Sequence, residues 1–380
     1  MLISDFKSEI LPLRAAAEQF RAIFRLAAQT ACGLLRRKSA IARRSPAFAG
    51  ACVLLYASAL SVVACLTSLT RHLSSGSVFA AGGLYEVREI KPHVFVWIPE
   101  DVIEQQGDPR FSRAATAGFV VTTEGVVVVD TTNSPFHGRE LLYEIHRQTD
   151  APVKYVIDTN SRGDHMLGNE VFVDQQAVIV STTAAQGTMR RYRQELARRL
   201  EEDWRLPLRM RGFHPTLPNQ TFEGELGLRL GSQEIRLLGA NYPNSTGDLM
   251  VYLPAAKVLF LGELFQNGYF PSVDGRDLSG WIETLDQVEH WPVDAYVPGH
   301  GAPGGRKELV EFRDFLTWLT NQVQSRIKEG KSLDQVKNEL GALENYNWRA
   351  PELAPAAVEA VYQQLKGSAP RSEPPKASNR

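Results

Sequence analysis

Asp158-Thr159-Asn160-Ser161-Arg162-Gly163-Asp164-His165 is the stretch whose reading decides the fold. It follows Val153–Ile157, a short apolar run that reads as a buried strand. A strand therefore delivers a polar loop in which a carboxylate and an imidazole stand side by side. A guanidinium lies two residues before them. A second histidine of interest, His300, closes Val297-Pro298-Gly299-His300-Gly301 at the end of another short strand, Ala295–Val297.

Outward from the loop, the chain alternates strands and helices. Tyr85–Ile98 alternates in strand fashion, and His93 falls inside that pattern. Gly118–Val121 and Val126–Asp130 are apolar runs separated by a turn at Thr123-Glu124-Gly125. Gly138–Arg147 has helical spacing, Val178–Ser181 reads as a strand, and Thr182–Trp204 reads as an exposed helix. Phe213–Phe222 reads as an irregular connection. Leu226–Leu230, Glu234–Leu238, Leu249–Leu253 and Val258–Leu261 form a second set of strands, and Leu278–His290 is helical. Helices at Lys307–Lys328, Ser332–Leu340 and Pro355–Leu365 follow. Ser332 with Gln335 signals a helix N-cap, and Pro355 suits a first helical position. Strands then helix, twice over, predicts an α/β fold with two packed sheets.

The formal net charge of −1 shows no basic excess, so no nucleic-acid partner is expected. Cys32, Cys52 and Cys65 all precede the strand-rich region, which therefore has no thiol for a metal or a disulfide. Residues 48–70 carry no charged side chain and are long enough to span a bilayer. Arg36, Arg37, Lys38, Arg43 and Arg44 precede them. By the positive-inside rule the N-terminus is then cytoplasmic, and everything after residue 70 is periplasmic or extracellular. A cleaved signal peptide competes, because Val78-Phe79-Ala80 before Ala81 resembles a cleavage site. The expected division is a leader at 1–47 with helical spacing, an anchor at 48–70 and a linker at 71–83. A catalytic-type domain at 84–303, a helical extension at 304–366 and a disordered tail at 367–380 complete it.

Five segments resemble the metallo-β-lactamase superfamily, in the family's order. Gly118 to Thr131 resembles its opening hairpin. Asn160–His165 resembles its His-x-His-x-Asp-His loop, with Asn160 and Arg162 at the first two histidine positions. Asn244-Ser245-Thr246-Gly247-Asp248 resembles the segment of the third histidine, Leu261-Gly262-Glu263-Leu264 that of the bridging carboxylate, and Val297–Gly301 that of the last ligand. The resemblance implies an αββα four-layer sandwich, preceded by the transmembrane helix and followed by C-terminal helices.

It also implies two adjacent metal positions. The first has lost all three imidazoles, to Asn160, Arg162 and Asn244. The second keeps Asp164, His165 and His300, with Glu263 in place of the usual bridging aspartate. The expectation is one divalent metal on Asp164, His165, His300 and Glu263, with zinc first and iron or manganese as alternatives. A guanidinium has no lone pair to ligate a metal, so Arg162 would replace the first ion's charge or fill a dead pocket by pairing with Glu263. If the site is live, Asp164 or Glu263 handles a proton, while Arg162, Asn160 and Asn244 hold a small-molecule substrate. The substrate is then an ester, lactone, amide or thioester. The alternative is an inactive binding or accessory protein on the same scaffold. Asp130 reads as a supporting residue at a strand end, and His137 is nearer the site than the other histidines outside the motifs, because the loop after Asp130 should border it.

Overall fold

Alternation along the strands builds two sheets back to back. In the computed structural model, residues 78–79, 85–100, 113–202, 215–240, 247–273, 275–340, 343 and 346–367 are described. Residues 48–70 and Asn244 lie outside them. All described residues belong to the unit Ser77–Arg380.

The first sheet has eight strands in chain order: β1 (Val78–Phe79), β2 (Tyr85–Lys91), β3 (Val94–Pro99), β4 (Ala117–Thr122), β5 (Gly125–Val129), β6 (Val153–Ile157), β7 (Val178–Thr182) and β8 (Gln220–Phe222). β1 to β5 pair antiparallel, and β5 to β8 pair parallel. The second sheet comprises β9 (Glu225–Leu230), β10 (Gln233–Gly239), β11 (Leu249–Leu253), β12 (Val258–Gln266) and β13 (Ala295–His300). Only β12 and β13 run parallel in it.

Side chains alternate across a strand, so each strand feeds two layers. Val94, Val96 and Ile98 of β3, with Val127 and Val129 of β5, pack between the sheets against Ile235, Leu237, Val258 and Phe260. The intervening Phe95, Trp97, Val126 and Val128 face outward. There they meet Leu141 and Ile145 of α1 (Pro135–Gln148) and Val171 and Phe172 of α3 (Asn169–Val173). On the other side, Leu259 and Leu261 of β12 pack with α5 (Leu278–Glu289), α6 (Arg306–Lys328), α7 (Leu333–Leu340) and α8 (Ala354–Leu365). The layers are helix, sheet, sheet, helix. The C-terminal helices share one core with the outer face of the second sheet.

Three local readings change. Tyr85–Ile98 is a hairpin rather than one strand, because His93 turns with φ 65° and the chain reverses between β2 and β3. Gln220–Phe222 is a strand, since it adds in parallel to β7. The decisive loop is partly helical: α2 (Gly163–Met166) begins inside it and carries Asp164 and His165. α4 spans Thr183–Glu202.

Glycine places the site. Gly262 has φ 49°, and a Cβ on it would lie 2.3 Å from Thr159 Oγ1. A Cβ on Gly299 would lie 2.8 Å from the Gly262 carbonyl. The C-terminal ends of β12 and β13 thus approach each other and β6 more closely than side-chain-bearing residues allow. That approach brings Glu263 and His300 to the loop after β6.

Candidate metal centre

Strand ends converge on four donors. Asp164, His165, Glu263 and His300 each present an atom that lies within 4.8 Å of the others. His300 Nε2 is 3.0 Å from Asp164 Oδ2 and 3.3 Å from Glu263 Oε1. His165 Nε2 is 3.2 Å from Glu263 Oε1 and 3.9 Å from Asp164 Oδ2. The three shorter separations approach the ~3.4 Å edge of a tetrahedron whose corners stand ~2.1 Å from a central zinc.

Asp130 fixes His165. Asp130 directly follows β5, with φ 60° and a buried carboxylate. Its Oδ1 accepts from the Thr159 N–H at 2.8 Å, and its Oδ2 accepts from His165 Nδ1–H at 2.8 Å. A neutral His165 therefore turns the lone pair of Nε2 toward Glu263 and Asp164, whose oxygens are also acceptors. Burial opposes charge on His165, yet Asp130 and Glu263 push the imidazole well above its usual range. A set of acceptors closing on one point requires a cation or protons among them, and a divalent ion fits. Formal charge agrees. Counted with both histidines neutral, as metal ligands would be, Asp130, Asp164, Asp248 and Glu263 exceed the two guanidiniums placed against them among the described residues, Arg162 and Arg276, by two charges. We predict that Asp130→Asn, which keeps the shape but removes the charge behind His165, weakens metal affinity about 10–100-fold. Competition against a zinc chelator measures this, and an unchanged affinity would remove Asp130 from the site.

Glu263 works with both oxygens. Oε1 faces the two histidines. Oε2 faces Arg162 Nε at 3.5 Å, Arg276 Nη2 at 3.9 Å and the Gln266 amide at 3.3 Å. Burial opposes ionisation, but the Arg162 charge and the two imidazoles beside Oε1 hold the carboxyl well below the usual carboxylate range. Arg162 Nε also lies 3.7 Å from Asp164 Oδ1. The Arg162 and Asp164 side chains keep 38% and 17% of their surface, while Glu263 keeps 1%, so solvent reaches the centre at the arginine corner.

The remaining expected residues are placed differently. Asn160 is fully buried, and its amide is engaged within the loop. Nδ2 donates to Thr159 Oγ1 at 3.0 Å, and Oδ1 accepts from the Arg162 N–H at 2.8 Å. His137 lies apart from the four donors on α1, with Nδ1 2.6 Å from Asn133 Oδ1 and its ring 5.8 Å from that of Trp97. Asp158 lies beneath the loop. Burial pushes its carboxyl well above the usual range; Oδ2 accepts from Asn169, and Oδ1 has no hydrogen-bond partner among the described residues.

Arg276 went unread in the sequence. It joins Asp248 through two parallel hydrogen bonds of 3.1 Å, with both side chains 1% exposed, and lies over the Trp281 ring at 4.8 Å. The only local signal was an arginine in an otherwise small and polar loop.

This architecture and donor set define an αββα metal-site scaffold. The model of the metallo-beta-lactamase superfamily matches residues 110–300, and the chain belongs to that superfamily. Among curated proteins, the chain is 26% identical over 256 residues to a linear primary-alkylsulfatase of a Pseudomonas sp., covering 57% of this chain and 48% of that protein. The chain thus spans about half the length of that relative. Among solved structures, the stereoselective inverting sec-alkylsulfatase Pisa1 from Pseudomonas sp. matches with TM-score 0.54 and 17% identity, over 74% of this chain and 50% of the other. A double mutant of the same enzyme matches at 18% identity with the same coverage and score. At these identities the structural matches establish the fold alone.

Proposed function

We propose that the chain is a hydrolase with one divalent metal, held by Asp164, His165, His300 and Glu263, and with Arg162 standing in for a second ion. The division of Glu263 carries the reading: one carboxylate oxygen faces the two histidines and the other faces Arg162. Zinc suits the two imidazoles and two carboxylates best, and Fe(II) or Mn(II) accept the same donors. A bound ion would lower the pKa of a coordinated water and neutralise the excess negative charge.

The chain's own groups do the rest. Glu263, ionised and buried, holds its charge and position throughout. Asp164 is the more open carboxylate and handles the proton of the attacking water. Arg162, at the solvent-facing corner, binds the oxygens that gain charge as the bond breaks. The substrate class is a small-molecule ester, lactone, amide or thioester. The names of the relatives add sulfate esters to this range.

Replacement of Arg162 tests the assignment. With p-nitrophenyl acetate and p-nitrophenyl sulfate as substrates, Arg162→Ala is expected to lower kcat about 100-fold or more. Metal content should stay near one per chain, and Arg162→Lys should recover part of the loss. Unchanged metal content together with unchanged kcat would remove Arg162 from the site.

The same proposal includes an anchor. Residues 48–70 are uncharged and follow a basic cluster, which supports a single-pass anchor with the catalytic unit outside the cytoplasm. Among the described residues no helix is long and apolar enough to cross a membrane. Protease accessibility of the C-terminus in spheroplasts tests the orientation.

A further inference from the structure

β12 is buried along its whole length, yet two of its nine residues, Glu263 and Gln266, are polar. Gln266 is 3% exposed. Burying a primary amide is unfavourable unless it is bonded. Among the described residues its side chain makes one hydrogen bond: Nε2 donates to Glu263 Oε2 at 3.3 Å. An ionised carboxylate only accepts, so the NH2 end of the amide is the end that faces it.

Residues three apart on a regular strand point to opposite faces. β12 is not regular here. Gly262, with φ 49°, pairs with Pro298, and Gln266 pairs with His300, so four steps along β12 match two along β13. This irregularity lets the Gln266 amide meet Glu263 and seats Gln266 across the ladder from His300. Gln266 therefore borders two of the four donors. The other groups at Oε2 act by charge, Arg162 Nε at 3.5 Å and Arg276 Nη2 at 3.9 Å. Attraction between charges fixes direction weakly, whereas a hydrogen bond fixes it closely. The terminal torsion of a glutamate is broad, so without the amide the carboxylate is freer to turn.

We propose that Gln266 is a positioning residue that holds Glu263 Oε2 away from the donor set, so that Oε1 alone faces His165 and His300. The inference rests on the one-metal hydrolase reading and goes beyond it, since it assigns the split of Glu263 to a residue that touches neither metal nor substrate. A carboxylate that turned both oxygens inward would take two positions on an ion, and hydrolysis needs one position left for water. Gln266 thus protects the open position. It does so from the same strand that supplies Glu263, so the ligand and its restraint are placed together.

The test loads full-length protein with Co(II), whose visible absorption weakens as the number of ligands around it rises. Gln266→Met keeps an unbranched side chain of similar length and removes the donor. Gln266→Asn keeps an amide but withdraws it by one methylene, and serves if the apolar variant fails to fold. Either variant is expected to bind about one cobalt per chain with visibly weaker absorption than wild type. Its zinc affinity, measured by competition against a chelator, should fall about tenfold. A spectrum and an affinity that both match wild type overturn the assignment. So does a variant that loses stability to denaturant and keeps the wild-type spectrum, since Gln266 then serves the core alone. A wild type that takes up no cobalt overturns the one-metal reading and this inference together; a wild type that loads normally beside unchanged variants overturns this inference by itself.

Discussion

His300→Ala is expected to empty the metal centre. Full-length protein purified without chelator should carry about one divalent ion per chain by elemental analysis, and the variant should carry close to none. The reason is geometric. His300 Nε2 is the donor that closes the set, 3.0 Å from Asp164 Oδ2 and 3.3 Å from Glu263 Oε1. Without it, two carboxylates face one imidazole. The loss should exceed the ~10–100-fold effect expected behind His165, since a ligand is removed rather than its support. Equal metal in wild type and variant would remove His300 from the set. A wild type that takes up no zinc at stoichiometric supply would instead mark the chain as a binding or accessory protein on this scaffold.

Arg276→Met is expected to destabilise the fold by about 3–5 kcal/mol, because it leaves a buried carboxylate without its partner. Asp248 and Arg276 share two hydrogen bonds of 3.1 Å, and both side chains are 1% exposed. Methionine keeps an unbranched apolar stem but removes the guanidinium from both Asp248 and the Trp281 ring, so the cost combines the lost pair with the lost ring contact. Denaturant titration measures it. The double variant Asp248→Asn with Arg276→Met should recover a large part of the loss, since no uncompensated charge then stays buried. A single-variant cost below about 1 kcal/mol would mean that water or another cation reaches Asp248, and that the pair is not closed.

These two predictions differ in how far the sequence announced them. His300 stood in a recognisable segment, and so did Asp164, His165 and Glu263, though 136 positions separate Asp164 from His300. No periodicity links residues that far apart; resemblance to a family did. The strands were legible because burial on two faces favours apolar residues at every position, as in β5, where all residues are buried. The hairpin at His93 was hidden, since alternation continues through the turn and only a positive φ marks it. Arg276 left no pattern, because its partner Asp248 lies 28 residues away and an arginine in a polar loop reads as solvated. Asn160 stood at a position that suggested ligand contact, while its amide serves the loop that carries Arg162.

Glu263 has a consequence for how such a protein would live with metal scarcity. Where a carboxylate bridges two exchangeable ions, activity depends on both being supplied, and either can be replaced by a competitor from the cell's pool. In the proposed arrangement one of the two cations is written into the gene: Arg162 faces Glu263 Oε2 at 3.5 Å and cannot dissociate or be chelated. Recovery after complete chelation should then rise with free zinc along a simple saturation curve, without the sigmoid lag of a site that must fill twice. Under that proposal an organism would gain a hydrolase whose zinc quota is halved, at the expense of the freedom to tune that half by swapping ions.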